Sequence, residues 1–204
     1  MIKNKYPNYF LNIIVIVFTF IAFAFFARGQ LALLFFGNNP IEMSFRRAIV
    51  IDPENAAFPF ALGVLREKDA ATIQNVNRKL QRYREALGSM KRAIDLNPYQ
   101  LAYRVAYSDL TLKVGLYEEG EKVFDSSRLA FDFEFLLARV FYYFKWASQI
   151  PDSEMQSRLI DKGVSHYRRA HQIRSEFIES ILTKKLALLP EPTQQAIRVR
   201  LKNS

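Results

Sequence analysis

Apolar residues are distributed along this chain in two different ways. From Tyr9 to Ala27 they form the unbroken run YFLNIIVIVFTFIAFAFFA, nineteen residues without a charge. About 20 apolar residues in a helix cross the hydrocarbon core of a bilayer. The run is therefore expected to be a single transmembrane helix, with Phe10, Ile14, Phe18, Ile21 and Phe25 as membrane-anchoring side chains. Asn12 and Thr19 are its conspicuously polar members, and each can bond back to its own helix or meet a neighbouring one. A cleaved signal sequence is the competing reading, since Lys3 and Lys5 form a basic start, but the apolar part of such signals runs only ~7–15 residues. After Arg28-Gly29-Gln30 comes a second patch, Leu31 to Phe36, too short to span by itself. It is expected to prolong the helix to residue 36, before the break Gly37-Asn38-Asn39-Pro40.

Beyond residue 41 the pattern changes to spaced apolar positions separated by charges, the signature of amphipathic helices. Glycine and proline are sparse, at 7 and 8, so few points interrupt these helices. The fold class is all-α. Self-similarity appears in Arg47-Ala48-Ile49-Val50-Ile51-Asp52-Pro53 against Arg92-Ala93-Ile94-Asp95-Leu96-Asn97-Pro98, two helix ends closed by a proline that cannot extend them. Upstream, Phe45 precedes Ala48 by three residues, as Met90 precedes Ala93. Ala86 to Gly120, Met90 to Phe124 and Ala93 to Ser127 are each 34 residues apart. Between Ala48 and Ala93 there are 11 residues more than that period, and the surplus falls near Asp69 to Lys79, as an extra loop or a lengthened helix. A later unit pairs Phe131 to Ser148 with Ser153 to Arg174 across Ile150-Pro151-Asp152, with Gly163, Tyr167 and Ala170 repeating the small, large, small spacing.

With Leu62-Gly63 and Gly115-x-Tyr117-x-x-Gly120, these spacings resemble those of tetratricopeptide-repeat proteins over roughly residues 41 to 188. The resemblance implies stacked helical hairpins, with small residues such as Gly63, Ala86, Ala93, Ser108 and Gly120 at the close crossings. Phe177 to Leu189 would be a further helix, and residues 189–204 would then form a capping helix, with Ile197 and Leu201 on its inner face. In that family the first helix of each hairpin lines a concave groove. The matching positions here are Ala102, Val105, Asp109, Leu112 and Lys113, followed by Phe135, Arg139, Tyr142 and Tyr143. The Lys/Asn/Arg clamp that some relatives use for a peptide carboxylate is missing. An apolar, aromatic groove suits an amphipathic helix or apolar peptide of another protein instead.

Composition narrows the chemistry. Cysteine is absent, which removes disulfides and thiol or thiolate-metal chemistry. The net charge of +9 includes +3 from residues 1–8 and 9–36, through Lys3, Lys5 and Arg28. The remainder is mixed with acids, without the dense basic block of a nucleic-acid binder. A mild positive excess suits a domain held near anionic lipid. Gly115 to Lys122 lacks the lysine placement of a phosphate loop. His166 and His171 are five apart, outside metal-site spacing, and Glu118, Glu119 and Glu121 fit a helix start. No catalytic, cofactor or metal site is expected, and no nucleic acid or small-molecule substrate.

The reading is of a membrane-anchored protein-interaction scaffold in a cell-envelope machine for secretion, appendage or surface-polymer assembly. The alternative is an accessory subunit of a larger membrane complex, touching neighbouring transmembrane helices through Asn12, Thr19 and the Phe-rich stripe of the anchor. Lys3 and Lys5 directly before the anchor favour an N-terminus inside, with the repeat domain on the periplasmic side of a bacterial inner membrane.

Overall fold

The computed structural model describes residues 17–19, 21, 23, 24, 27, 41–125 and 132–202. From residue 41 its helices are α1 (Glu42–Ile51), α2 (Ala57–Thr72), α3 (Val76–Leu96), α4 (Leu101–Val114), α5 (Tyr117–Lys122), α6 (Phe133–Gln149), α7 (Ser153–Ile173), α8 (Ser175–Leu186) and α9 (Glu191–Lys202). The described residues include no strand. Neighbours in sequence are neighbours in space. The pairs α2 with α3 and α6 with α7 make the most extensive contacts, α4 packs on both α3 and α5, and α9 lies across α7.

Local chemistry sets these boundaries. Asn75, Asp132 and Asp152 stand just before α3, α6 and α7, and their side-chain oxygens accept the free backbone N–H groups of the first turn. Asp152, for example, receives Glu154 at 2.8 Å and Met155 at 3.1 Å. The repeated motif ends α1 and α3 alike: Asp52 donates its backbone N–H to Ala48 at 2.8 Å, and Asn97 donates to Ala93 at 2.9 Å. Arg174 closes α7 with the same bond, to Ala170 at 3.1 Å, and a similar cap conformation, although no proline follows. Gly115 has φ +76°, and Leu116 donates back to Thr111 at 2.9 Å. This left-handed turn closes α4, and it explains the glycine without any phosphate.

The 11 surplus residues are a lengthening of helices. They form the end of α2, a three-residue turn at 73–75 and the start of α3, a helix of 21 residues matched in length by α7. Each hairpin crosses at a glycine. A Cβ on Gly63 would stand 2.6 Å from Met90 Cγ, one on Gly120 would collide with Thr111 and Tyr142, and one on Gly163 would collide with the Phe144 ring. Ala48, Ala86, Ala93 and Ala170 are fully buried beside them. Met90, Leu110 and Tyr107 fill the space between α3 and α4. A larger core gathers around α6, where Val140, Phe144 and Trp146 meet Leu159 and Ile160 of α7 and Ile197 of α9. Ile197 is buried and Leu201 lies against the same core, the inner face expected of the terminal helix.

The expected anchor falls mainly outside the described residues, as do Phe10, Ile14, Phe25, the patch from Leu31 to Phe36, and Ser127. Of the five anchor side chains, Phe18 and Ile21 are described. Both are helical and exposed, at 68% and 46%, as are Val17 and Phe23. Among the described residues, no helix is long and apolar enough to cross a membrane.

Candidate functional site

The first helices of successive hairpins, α2, α4 and α6, are followed by α8, and on their shared side lies an apolar cavity of about 480 Å³. Its walls are Leu101 and Val105 of α4, Leu137, Ala138 and Phe141 of α6, and Ile181 of α8, with Leu188 and Leu189 just beyond. The size falls in the range of pockets that hold real ligands. The positions on α6 follow from helical spacing. Glu134, Ala138, Phe141 and Lys145 are separated by four, three and four residues, so they share one stripe. Asp109, Glu134, Lys145 and Lys185 supply polar groups around it. Lys145 reaches Asp109 at 2.6 Å, tying α6 to α4. The concave surface continues along α4 past Ala106 to Glu67 of α2, where Lys113 meets Glu67 at 2.5 Å.

Of the expected groove residues, Val105 and Asp109 line this cavity, and Ala102 borders it at the start of α4. Leu112, Phe135, Tyr142 and Tyr143 do not present a free surface: they are 4%, 4%, 3% and 2% exposed. The stripe facing the groove is one residue back along α6, at 134, 138 and 141 in place of 135, 139 and 142. Tyr142 edges the cavity wall, but its hydroxyl donates to the Tyr117 carbonyl and its ring packs against Phe124 and Trp146. Burial pushes its phenol well above the ordinary range. Phe135 sits under the Arg104 guanidinium, 5.5 Å from its carbon to the ring centre, and edge-on to Phe124.

Tyr143 and Arg139 point away from the groove into a polar cluster between α5, α6 and α7. Tyr143 donates to Glu121 at 2.6 Å, Lys162 bonds the same carboxylate at 3.0 Å, and Arg139 pairs with Asp125 at 2.9 Å. Burial works against the Glu121 carboxylate, but the bonds from Tyr143 and Lys162 outweigh it and hold its pKa below the ordinary value. His166 stacks flat on Tyr143 at 5.5 Å, with its Nδ1 buried and unbonded. Burial, helped by Arg139 and Arg169, lowers its pKa to about 4, so near neutrality the ring carries no charge. His171 lies beside Tyr167 instead. Among the described residues, no group of three or more His, Asp or Glu side chains could hold a metal ion.

Three parts of this arrangement are absent from the sequence reading. One is α8 as the far wall of the groove, for which Ile178, Ile181 and Leu182 at helical spacing were the available signal. Another is Arg104, 7% exposed, which donates from Nε and Nη2 to the Pro98 carbonyl at 2.8 and 2.6 Å, and from Nη1 to the Val123 carbonyl. It fastens the turn after α3 to the turn after α5, and burial lowers its pKa. The third is Glu42, which joins Arg66 at 2.6 Å and Arg82 at 2.5 Å, while Arg82 also holds Asp69 and Glu85, both at 2.8 Å. No protein-family model, known protein or solved structure gives a significant match to this chain.

Proposed function

We propose that this chain is a membrane-tethered scaffold that recruits or positions another protein through the groove between α4, α6 and α8. The observation that carries the reading is a cavity walled by apolar side chains on the concave side of stacked hairpins. Phe141 and Val105 are half-buried and Leu137 is buried, backed by the core around α6, as good anchor sites in interfaces are. The hairpin pairing, the glycine at each crossing and the shared helix endings support a tetratricopeptide-like architecture. Tethering is supported by the charge-free run from Tyr9 to Ala27 and by the exposed helical side chains Val17, Phe18, Ile21 and Phe23 within it. A helix of that length is held in the bilayer effectively irreversibly. The lysines preceding the anchor support an orientation with the domain on the periplasmic side of a bacterial inner membrane.

The test is purification of the full-length chain from membranes, with and without Leu188→Ser, a change at a groove residue that is 77% exposed. The chain should stay with the membrane after alkaline carbonate washing, and the unmodified form should bring down a protein partner that the variant loses at an unchanged melting temperature. Release by carbonate would remove the tether. An identical partner set in both forms would remove the groove.

A further inference from the structure

On the concave side, ion pairs link each hairpin to the next. Glu67 of α2 meets Lys113 of α4 at 2.5 Å, and Asp109 of α4 meets Lys145 of α6 at 2.6 Å. The series stops at the following step. Among the described residues, no ion pair joins α6 to α8. Glu134 at the start of α6 and Lys185 near the end of α8 both line the cavity, exposed and without a charged partner, and Leu137, Ala138, Phe141 and Ile181 occupy the space between. Ile178 and Ile181 pack with Leu136 and Leu137 near the start of α6, and Lys185 lies four to seven residues, about 6–10 Å, farther along α8. Glu134 and Lys185 therefore stand toward opposite ends of an apolar trough.

From this we infer that the groove takes an amphipathic helix bearing a cationic residue at one end of its apolar face, opposite Glu134, and an anionic residue at the other, opposite Lys185. The inference rests on the groove being a protein-docking site and names the partner's chemistry. Two charges of opposite sign without ion-pair partners, separated along an apolar floor, match an occupant that is apolar in the middle and oppositely charged at its ends. A fatty acyl anion carries charge at one end only and would leave Glu134 unmatched. A second copy of the chain would show itself as concentration-dependent self-association. Charge complementarity of this kind selects partners and excludes wrong ones more than it adds affinity.

The test uses the full-length protein in lipid nanodiscs and three labelled synthetic peptides of about 18 residues, or five helical turns. All share leucines at i, i+3, i+4 and i+7. One carries Lys at one end and Glu at the other, one carries Lys at both ends, and one carries Glu at both. Fluorescence anisotropy gives the ranking. The unmodified protein should prefer the mixed peptide by about threefold or more, the scale of one or two exposed ion pairs. Glu134→Lys should shift the preference to the Glu/Glu peptide, and Lys185→Glu to the Lys/Lys peptide. The same ranking in all three proteins, with binding still lost in Phe141→Ser and in the surface change Leu188→Ser, would overturn the charge assignment and leave the groove standing. Binding untouched by both of those changes, no binding at all, or self-association in place of peptide binding would overturn the groove reading, and this inference with it.

Discussion

Gly63 shows how much one missing methyl group decides. An added side chain there meets Met90 and comes within 3.1 Å of the Ala86 carbonyl, which cannot move without shifting α3. Gly63→Leu should therefore destabilise the domain by about 1–3 kcal/mol, the usual cost of overpacking a close contact. Arg198→Ala, on the exposed side of α9, should leave the thermal melt almost unchanged. Equal effects of the two would contradict the crossing point. Arg104 is the opposite case, a polar group essential inside. Replacing it with Met leaves the Pro98 and Val123 carbonyls without their donor, and should cost about 1.5–3 kcal/mol in chemical denaturation, the scale of a bond to a charged group. His166 adds a pH dependence. Above its ordinary value of 6.5 the ring is neutral whether the chain is folded or not. As pH falls from 6.5 to about 4, the unfolded chain takes up a proton that the folded one refuses, so stability drops and then levels off. His166→Phe should flatten that part of the stability profile, and an unchanged slope would show that the ring is not held neutral. The small residues at the crossings were readable in the sequence because only a size pattern repeats there. Arg104 was not, because an arginine within a helix reads as solvent-facing until its partners, main-chain carbonyls without any motif, are known.

At the scale of elements, the Glu42 carboxylate ties α1 to α2 and α3. Burial opposes ionisation of Glu42, but hydrogen bonds from Arg66, Arg46 and Arg82 outweigh it and lower its pKa to about 2. Its folded pKa is below the ordinary 4.5, so its contribution is complete above pH 4.5 and is lost as pH falls toward 2. Glu42→Gln should speed amide exchange in α1 at neutral pH while leaving α6 and α7 protected. Unchanged exchange in α1 would mean that Phe45 and Ala48, both buried, suffice to hold it. The helices and hairpin partners were legible from spacing, prolines and repeated endings. The face of α6 was not. A helix with Phe135, Leu136, Leu137, Val140, Phe141, Tyr142, Tyr143, Phe144 and Trp146 has apolar side chains nearly all round, and periodicity then cannot say which arc is left uncovered. Contacts with α4, α5, α7, α8 and α9 bury most of that circumference. The uncovered arc is the stripe through Ala138 and Phe141, and the tyrosines next to it became core. Tyr142→Ser with Tyr143→Ser should consequently lower the melting temperature sharply, since both hydroxyls and both rings have internal partners.

For the whole molecule, stacking of first helices leaves a continuous concave surface, tied by ion pairs at one end and opening into an apolar cavity at the other. Each added hairpin of such a stack extends the same face. The distinction that matters is between neighbouring residues on α6. Ala138 and Arg139 are adjacent in sequence and turned ~100° apart around the helix. One lines the groove, and the other pairs with Asp125 in the cluster on the far side. Site-specific photo-crosslinking in intact membranes, with the photoreactive residue placed at 138, 139 or 141 of the full-length chain, tests this directly. Positions 138 and 141 should each yield one discrete protein adduct of the same size, and position 139 should yield none. A common adduct at 139 with nothing at 138 and 141, or no adduct at any of the three, would contradict the assignment of this groove as the partner-binding surface.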